Sequence, residues 1–127
     1  MTIAKRSIVV CGATLLSDPG LAEELGRVFW VVRCHRYEEL LQVLKEKSVH
    51  VILLEIDSQG DGLEVLRRLK EWYPPIPVLA LGGDEPTEMI AQAFKLGARD
   101  FFKIPYHREL VVERARAIST VVRDGSA

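Results

Sequence analysis

Short apolar runs alternate with apolar residues at helical spacing along the whole chain. The runs are Ile8 to Cys11, Trp30 to Cys34, Val49 to Leu54, Pro77 to Leu81 and Phe101 to Ile104. Runs this uniformly apolar suit strands covered on both faces, as in a parallel sheet. Between them, Leu21, Leu25, Val28 and Phe29 make one helical stripe, and Tyr37, Leu40, Leu41 and Leu44 a second. Leu66, Leu69 and Tyr73 give a third, Ile90, Ala93 and Phe94 a fourth, and Val111, Ala115, Ile118 and Val122 a fifth. Each stripe supplies a helix with one face to bury. Five strands in alternation with five helices predict a doubly wound α/β sheet joined by right-handed crossovers. The punctuation agrees. Asp18-Pro19 suits an N-cap followed by proline at the first helical position, and Gly97 suits a left-handed C-cap. The last helix is expected from after Pro105 to about Arg123, with a polar tail at about 124–127.

A chain of 127 residues, 48% of them hydrophobic, can bury a core without metal or disulfide staples, so residues 1–127 are read as one domain. Its 17 basic and 18 acidic residues leave a net charge of -1, which gives no field favouring nucleic acid. The apolar runs are far shorter than a bilayer requires, and the charged start Met1 to Arg6 leads into no long apolar stretch. The expectation is a cytoplasmic protein with no membrane or direct nucleic-acid contact. Cys11 and Cys34 have neither metal-ligand spacing nor a disulfide framework, as expected in a reducing compartment. They end the first and second strands, whose adjacency would bring the thiols close. Two readings stand: a redox pair, or two buried inert cysteines, with an α-carbon separation beyond about 7 Å removing the disulfide. His35, His50 and His107 have no recognisable nucleophile partner, so an enzyme of conventional hydrolase or transferase type is not expected.

Four segments together carry a resemblance. His50-Val51-Ile52-Leu53-Leu54-Glu55 resembles the strand leading to a phosphoacceptor, and Asp61 to Leu69 resembles the helix after its loop. Pro75 to Leu81 is similar to a fourth strand, and Ala93-Phe94-Lys95-Leu96-Gly97-Ala98-Arg99-Asp100-Phe101-Phe102 to the approach to a fifth. Each alone is weak; their order and spacing identify the chain as similar to the receiver domains of two-component response regulators. The resemblance implies a flavodoxin-like (βα)5 fold, strand order 2-1-3-4-5, with the site at the carboxyl edge of the sheet, where open α/β sheets bind ligands.

The resemblance also implies a set of chemical positions. Receivers phosphorylate themselves with a nucleophilic aspartate, two acidic residues holding magnesium, a Ser/Thr after strand four and a lysine before a proline after strand five. Here Glu55 stands at the phosphoacceptor position. It is read either as a partial imitation of phosphoaspartate or as a solvated carboxylate at a strand end. Cys11 and Gly12 replace the acidic pair and offer no hard oxygen, and Asp18, later in that connection, reads as a helix cap. Gly82 and Gly83 replace the hydroxyl residue and its neighbour and read as a turn. Ile104 stands where the lysine belongs, with Lys103 displaced by one residue to the opposite face. Phe101 matches the family's switch aromatic. Asp57 is an alternative acceptor, in a loop one residue shorter than usual that reads Ser58-Gln59-Gly60.

Every chemical position differs while the core pattern persists, which points to a pseudo-receiver: a regulatory interaction or dimerisation module independent of phosphorylation and without a cofactor. Expected partners are proteins. They include a second copy bound through the face of the fourth helix, fifth strand and fifth helix, a histidine kinase, or a fused output domain. That face would carry Met89, Lys95, Arg99, Asp100, Arg108, Glu109, Glu113 and Arg116. The alternatives are a Mg2+-dependent phosphoacceptor using Asp57, with Glu55 as a metal ligand, and a small-ligand or redox sensor at the carboxyl edge.

Overall fold

The computed structural model describes residues 5–57, 61–83 and 86–124, with side chains as far as Ser119. The Val122 side chain, the loop 58–60, positions 84–85 and the tail 125–127 lie outside the described residues. The elements follow as β1 (Arg6–Cys11), α1 (Ala13–Leu16), α2 (Pro19–Gly26), β2 (Phe29–Cys34), α3 (Tyr37–Glu46) and β3 (Val51–Glu55). After them come α4 (Gly62–Trp72), β4 (Val78–Gly82), α5 (Thr87–Lys95), β5 (Asp100–Lys103) and α6 (Arg108–Asp124). The strands pair in parallel in the order β2-β1-β3-β4-β5, a flavodoxin-like sheet.

Strand alternation divides the core in two. Ile8, Val10, Val51, Leu53, Leu79 and Leu81 face α1, α2 and α6, meeting Leu15, Leu21, Leu25, Val111, Ala115 and Ile118. Val9, Cys11, Ile52, Leu54, Val78 and Ala80 face α3, α4 and α5, meeting Leu40, Leu44, Val65, Leu66, Leu69 and Ala93. The central strands are therefore apolar on both faces for the reason their sequences suggested. Truncating one of the leucines or isoleucines among these to alanine costs about 2–5 kcal/mol.

The departures from expectation lie where apolar residues are not core residues. There are six helices among the described residues, because α1 forms directly after β1; with four residues and one buried side chain, Leu15, it leaves no periodic stripe to read. Helix α2 ends at Gly26, and Phe29 opens β2 instead of completing a helical stripe. Trp30 is 62% exposed because β2 is an edge strand, and Lys5 lies over its ring at 5.2 Å. In α5 only Ala93 is buried, while Phe94 is 45% exposed. Gly97 does take a left-handed backbone, at φ 111°. Asp18 caps α2 as expected, its carboxylate accepting from the amides of Gly20 and Leu21, with Pro19 in the first turn.

Candidate functional site

Glu55 belongs to β3 itself, its last residue. Alternation turns its side chain to the face that carries Leu53, toward α1. Its Oε1 accepts hydrogen bonds from the Thr14 amide at 2.9 Å and the Leu15 amide at 3.3 Å, both in α1. These amides have no acceptor within their own helix, so a carboxylate there both caps and balances the helix start. The backbone carbonyl of Glu55 in turn accepts from the Tyr37 hydroxyl at 3.0 Å. The reading of Glu55 as a merely solvated carboxylate is thereby corrected: the residue is half-buried and held from two sides.

Gly12 makes this approach possible. Its backbone sits at φ 142° and ψ 143°, and a Cβ there would overlap the Cβ and Oε1 of Glu55. Only glycine takes that conformation at little cost. Two positions that read separately as altered are in fact one fitted contact.

The remaining positions are spread over both faces and the rim of the sheet. Cys11 lies on the opposite face, in the α3–α4–α5 core. Ile104 is half-buried and packs into the α1–α2–α6 core, so the position expected of a lysine is occupied by apolar contact. Lys103 is exposed at the end of β5. Gly82 is the last residue of β4, buried, with its carbonyl accepting from the Ile104 amide at 2.7 Å; only Gly83 lies in the bend that follows. Phe101 is half-buried against the α3–α4–α5 core. Asp57 lies beyond β3 and is exposed.

A cleft of about 320 Å³ opens between the ends of β1 and β3 and the start of α3, lined by residues including Gly12, His35, Tyr37, Glu55, Asp57 and Asp61. Burial and the nearby Asp57 raise the Tyr37 hydroxyl above its ordinary pKa. Beneath lie Cys11 and Cys34, register partners on adjacent parallel strands and both free thiols. Neighbouring strands are about 4.8 Å apart, so separation does not remove a disulfide. Chemistry opposes one: burial, Cys34 and Glu39 push the Cys11 thiol up to about 12, leaving little reactive thiolate at neutral pH. Among the described residues, no three His, Cys, Asp or Glu side chains cluster as a metal site.

The model of the response regulator receiver domain family matches residues 21–116, most of the chain. The chain belongs to the response regulator receiver family. A putative NtrX-like response regulator of Rickettsia typhi is 33% identical over 92 residues, 68% of this chain and 19% of that protein. The nitrogen assimilation regulatory protein NtrX of Azorhizobium caulinodans is 38% identical over 85 residues, 64% of this chain and 19% of that one. This receiver thus spans about a fifth of the length of the curated relatives it matches. Among solved structures, NtrX of Brucella abortus superposes with a TM-score of 0.80 at 26% identity, covering 97% of this chain and 29% of that chain. A CheY-like receiver domain from Methanospirillum hungatei shares the fold, with a TM-score of 0.83 at 15% identity and coverage of 96% and 99%.

The family match starts at Leu21, past β1 and the connection that carries Gly12, Thr14 and Leu15. Thr14, Leu15 and Tyr37 are the part of this receiver's site that sequence reasoning missed. The signal available was the glycine at position 12, whose need for a positive φ is invisible until Glu55 is seen pressing on it.

Proposed function

We propose that this receiver is a pseudo-receiver, a cytoplasmic signalling module that works through protein contacts without being phosphorylated. The observation that carries the reading is the fastening of Glu55 to the Thr14 and Leu15 amides. A carboxylate whose Oε1 is shared by two amide donors is tied to the start of α1 and is a weaker nucleophile for it. Magnesium prefers several hard oxygen ligands; Cys11 and Gly12 supply no carboxylate, and among the described residues no three His, Cys, Asp or Glu side chains cluster to hold it. The apolar Ile104 adds no charge to balance a phosphoryl group.

The contact surface in this proposal is the face of α5, β5 and α6, used for self-association or for a kinase or output domain. Phe94 and Leu110 are exposed, at 45% and 58%, and Asp100 pairs with Arg114 at 3.3 Å. Arg108 is removed from that face, because its guanidinium turns to Asp18 and Glu24.

A second reading keeps Asp57 as a phosphoacceptor, favoured by its exposure in the cleft beside Asp61. Intact-mass spectrometry after incubation with acetyl phosphate and magnesium separates the two, with an active receiver as control. No phosphoryl addition is the expected result. Addition that Asp57→Ala abolishes would replace the proposal with the second reading.

A further inference from the structure

We infer that Asp18 is a clasp that fixes the β5–α6 connection against the start of α2, and so sets the α6 border of the proposed contact face without any phosphoryl group. The inference rests on the pseudo-receiver reading for its functional meaning, but its geometry stands alone. The two oxygens of the Asp18 carboxylate are engaged in different directions. Oδ1 accepts from the amides of Gly20 at 3.1 Å and Leu21 at 3.3 Å, which anchors it to α2. Oδ2 accepts from the Tyr106 hydroxyl at 2.9 Å and from Arg108 Nε at 3.2 Å, residues that lie 88 and 90 positions later in the chain.

The surroundings are fitted to this arrangement. Arg108 Nη1 also lies 3.6 Å from Glu24 Oε2, one turn along α2. A Cβ on Gly20 would stand 2.6 Å from Arg108 Cζ, so glycine at this position leaves room for the guanidinium over the first turn of α2. Tyr106 is half-buried and packs into the α1–α2–α6 core, which holds its hydroxyl at the carboxylate. An exposed ion pair alone would fix little. One carboxylate joining two amides, a packed phenol and a guanidinium fixes considerably more, because each bond restrains the geometry of the others.

The position of the clasp gives it consequence. Arg108 is the first residue of α6, and Tyr106 lies in the turn leading to it. In receivers the lysine before the proline connects this end of β5 to the phosphoryl site. Here that position is Ile104, and the polar connection from β5–α6 runs to Asp18 instead.

Hydrogen exchange with mass spectrometry on the whole chain tests the inference, with Asp18→Ser and Tyr106→Phe as variants. Serine keeps an oxygen to cap α2 but has none for Tyr106 and Arg108, and phenylalanine removes one donor without touching the cap. Exchange over residues 104–111 is expected to rise roughly fivefold or more in both variants, the loss of one or two net hydrogen bonds, with α4 unchanged. Exchange that is unaltered there, or that rises evenly through the chain, would overturn the clasp. Sedimentation of the same samples distinguishes the two proposals. A local rise in exchange with altered association supports the clasp as the border of the contact face, whereas a local rise with unaltered association overturns that role and leaves the pseudo-receiver reading standing.

Discussion

One methylene separates glutamate from aspartate, and at position 55 it is the length that lets Oε1 reach the amides of Thr14 and Leu15. That reach requires Gly12 to lack a side chain. Gly12→Ala is therefore expected to destabilise the fold by about 2–4 kcal/mol, combining a glycine-only backbone with overlap against Glu55. Glu55→Ala should cost about 1 kcal/mol and Glu55→Gln less, since glutamine keeps an acceptor oxygen. Urea denaturation midpoints order the three, and a Gly12→Ala protein as stable as the parent would remove the fitted contact. Each partner was visible in the sequence as a departure from the receiver pattern. Their pairing was not, because it joins residues more than 40 positions apart through a backbone angle that a glycine permits but does not announce.

Elements were legible wherever apolar residues were also buried ones. The uniform runs of β1, β3 and β4 follow directly from helices covering both faces of the sheet. Phe94 misled because apolar character on α5 serves the surface, and α1 escaped because four residues cannot establish a period. The start of β1 carries a feature no periodicity encodes. The Ser7 amide donates to Nδ1 of His50, and the His50 amide donates to the Ser7 carbonyl, so imidazole must stay neutral at Nδ1 to keep the first bond. Burial and nearby Arg6 hold the His50 pKa below its ordinary 6.5. Protonation is thus easier in the unfolded chain. The bond contributes fully above that ordinary value, and its contribution is lost as pH falls through the lowered folded pKa. The unfolding midpoint of the parent should drop between about pH 7.5 and about pH 5 by more than that of His50→Gln. Equal drops in the two proteins would assign the acid sensitivity to another group.

At the scale of the molecule, fold and chemistry have separate requirements. The two buried clusters need only apolar side chains of the right volume, and these persist throughout the sheet. Phosphoryl transfer needs charges placed around one point, and among the described residues no three His, Cys, Asp or Glu side chains cluster as a metal site. The separation predicts the result of the simplest reversion. Glu55→Asp restores the family's nucleophile by type and also shortens the side chain away from the Thr14 and Leu15 amides. It supplies no magnesium ligand at Cys11 or Gly12, no hydroxyl at Gly82 and no lysine at Ile104. A bare carboxylate meeting a dianionic phosphodonor would then carry the whole electrostatic cost of the transition state. Incubated with acetyl phosphate and magnesium, Glu55→Asp should gain no phosphoryl group by intact mass, while its circular dichroism stays that of the parent. Efficient phosphorylation of this single variant would mean that a single carboxylate, and not a distributed set of positions, separates this receiver from a working one.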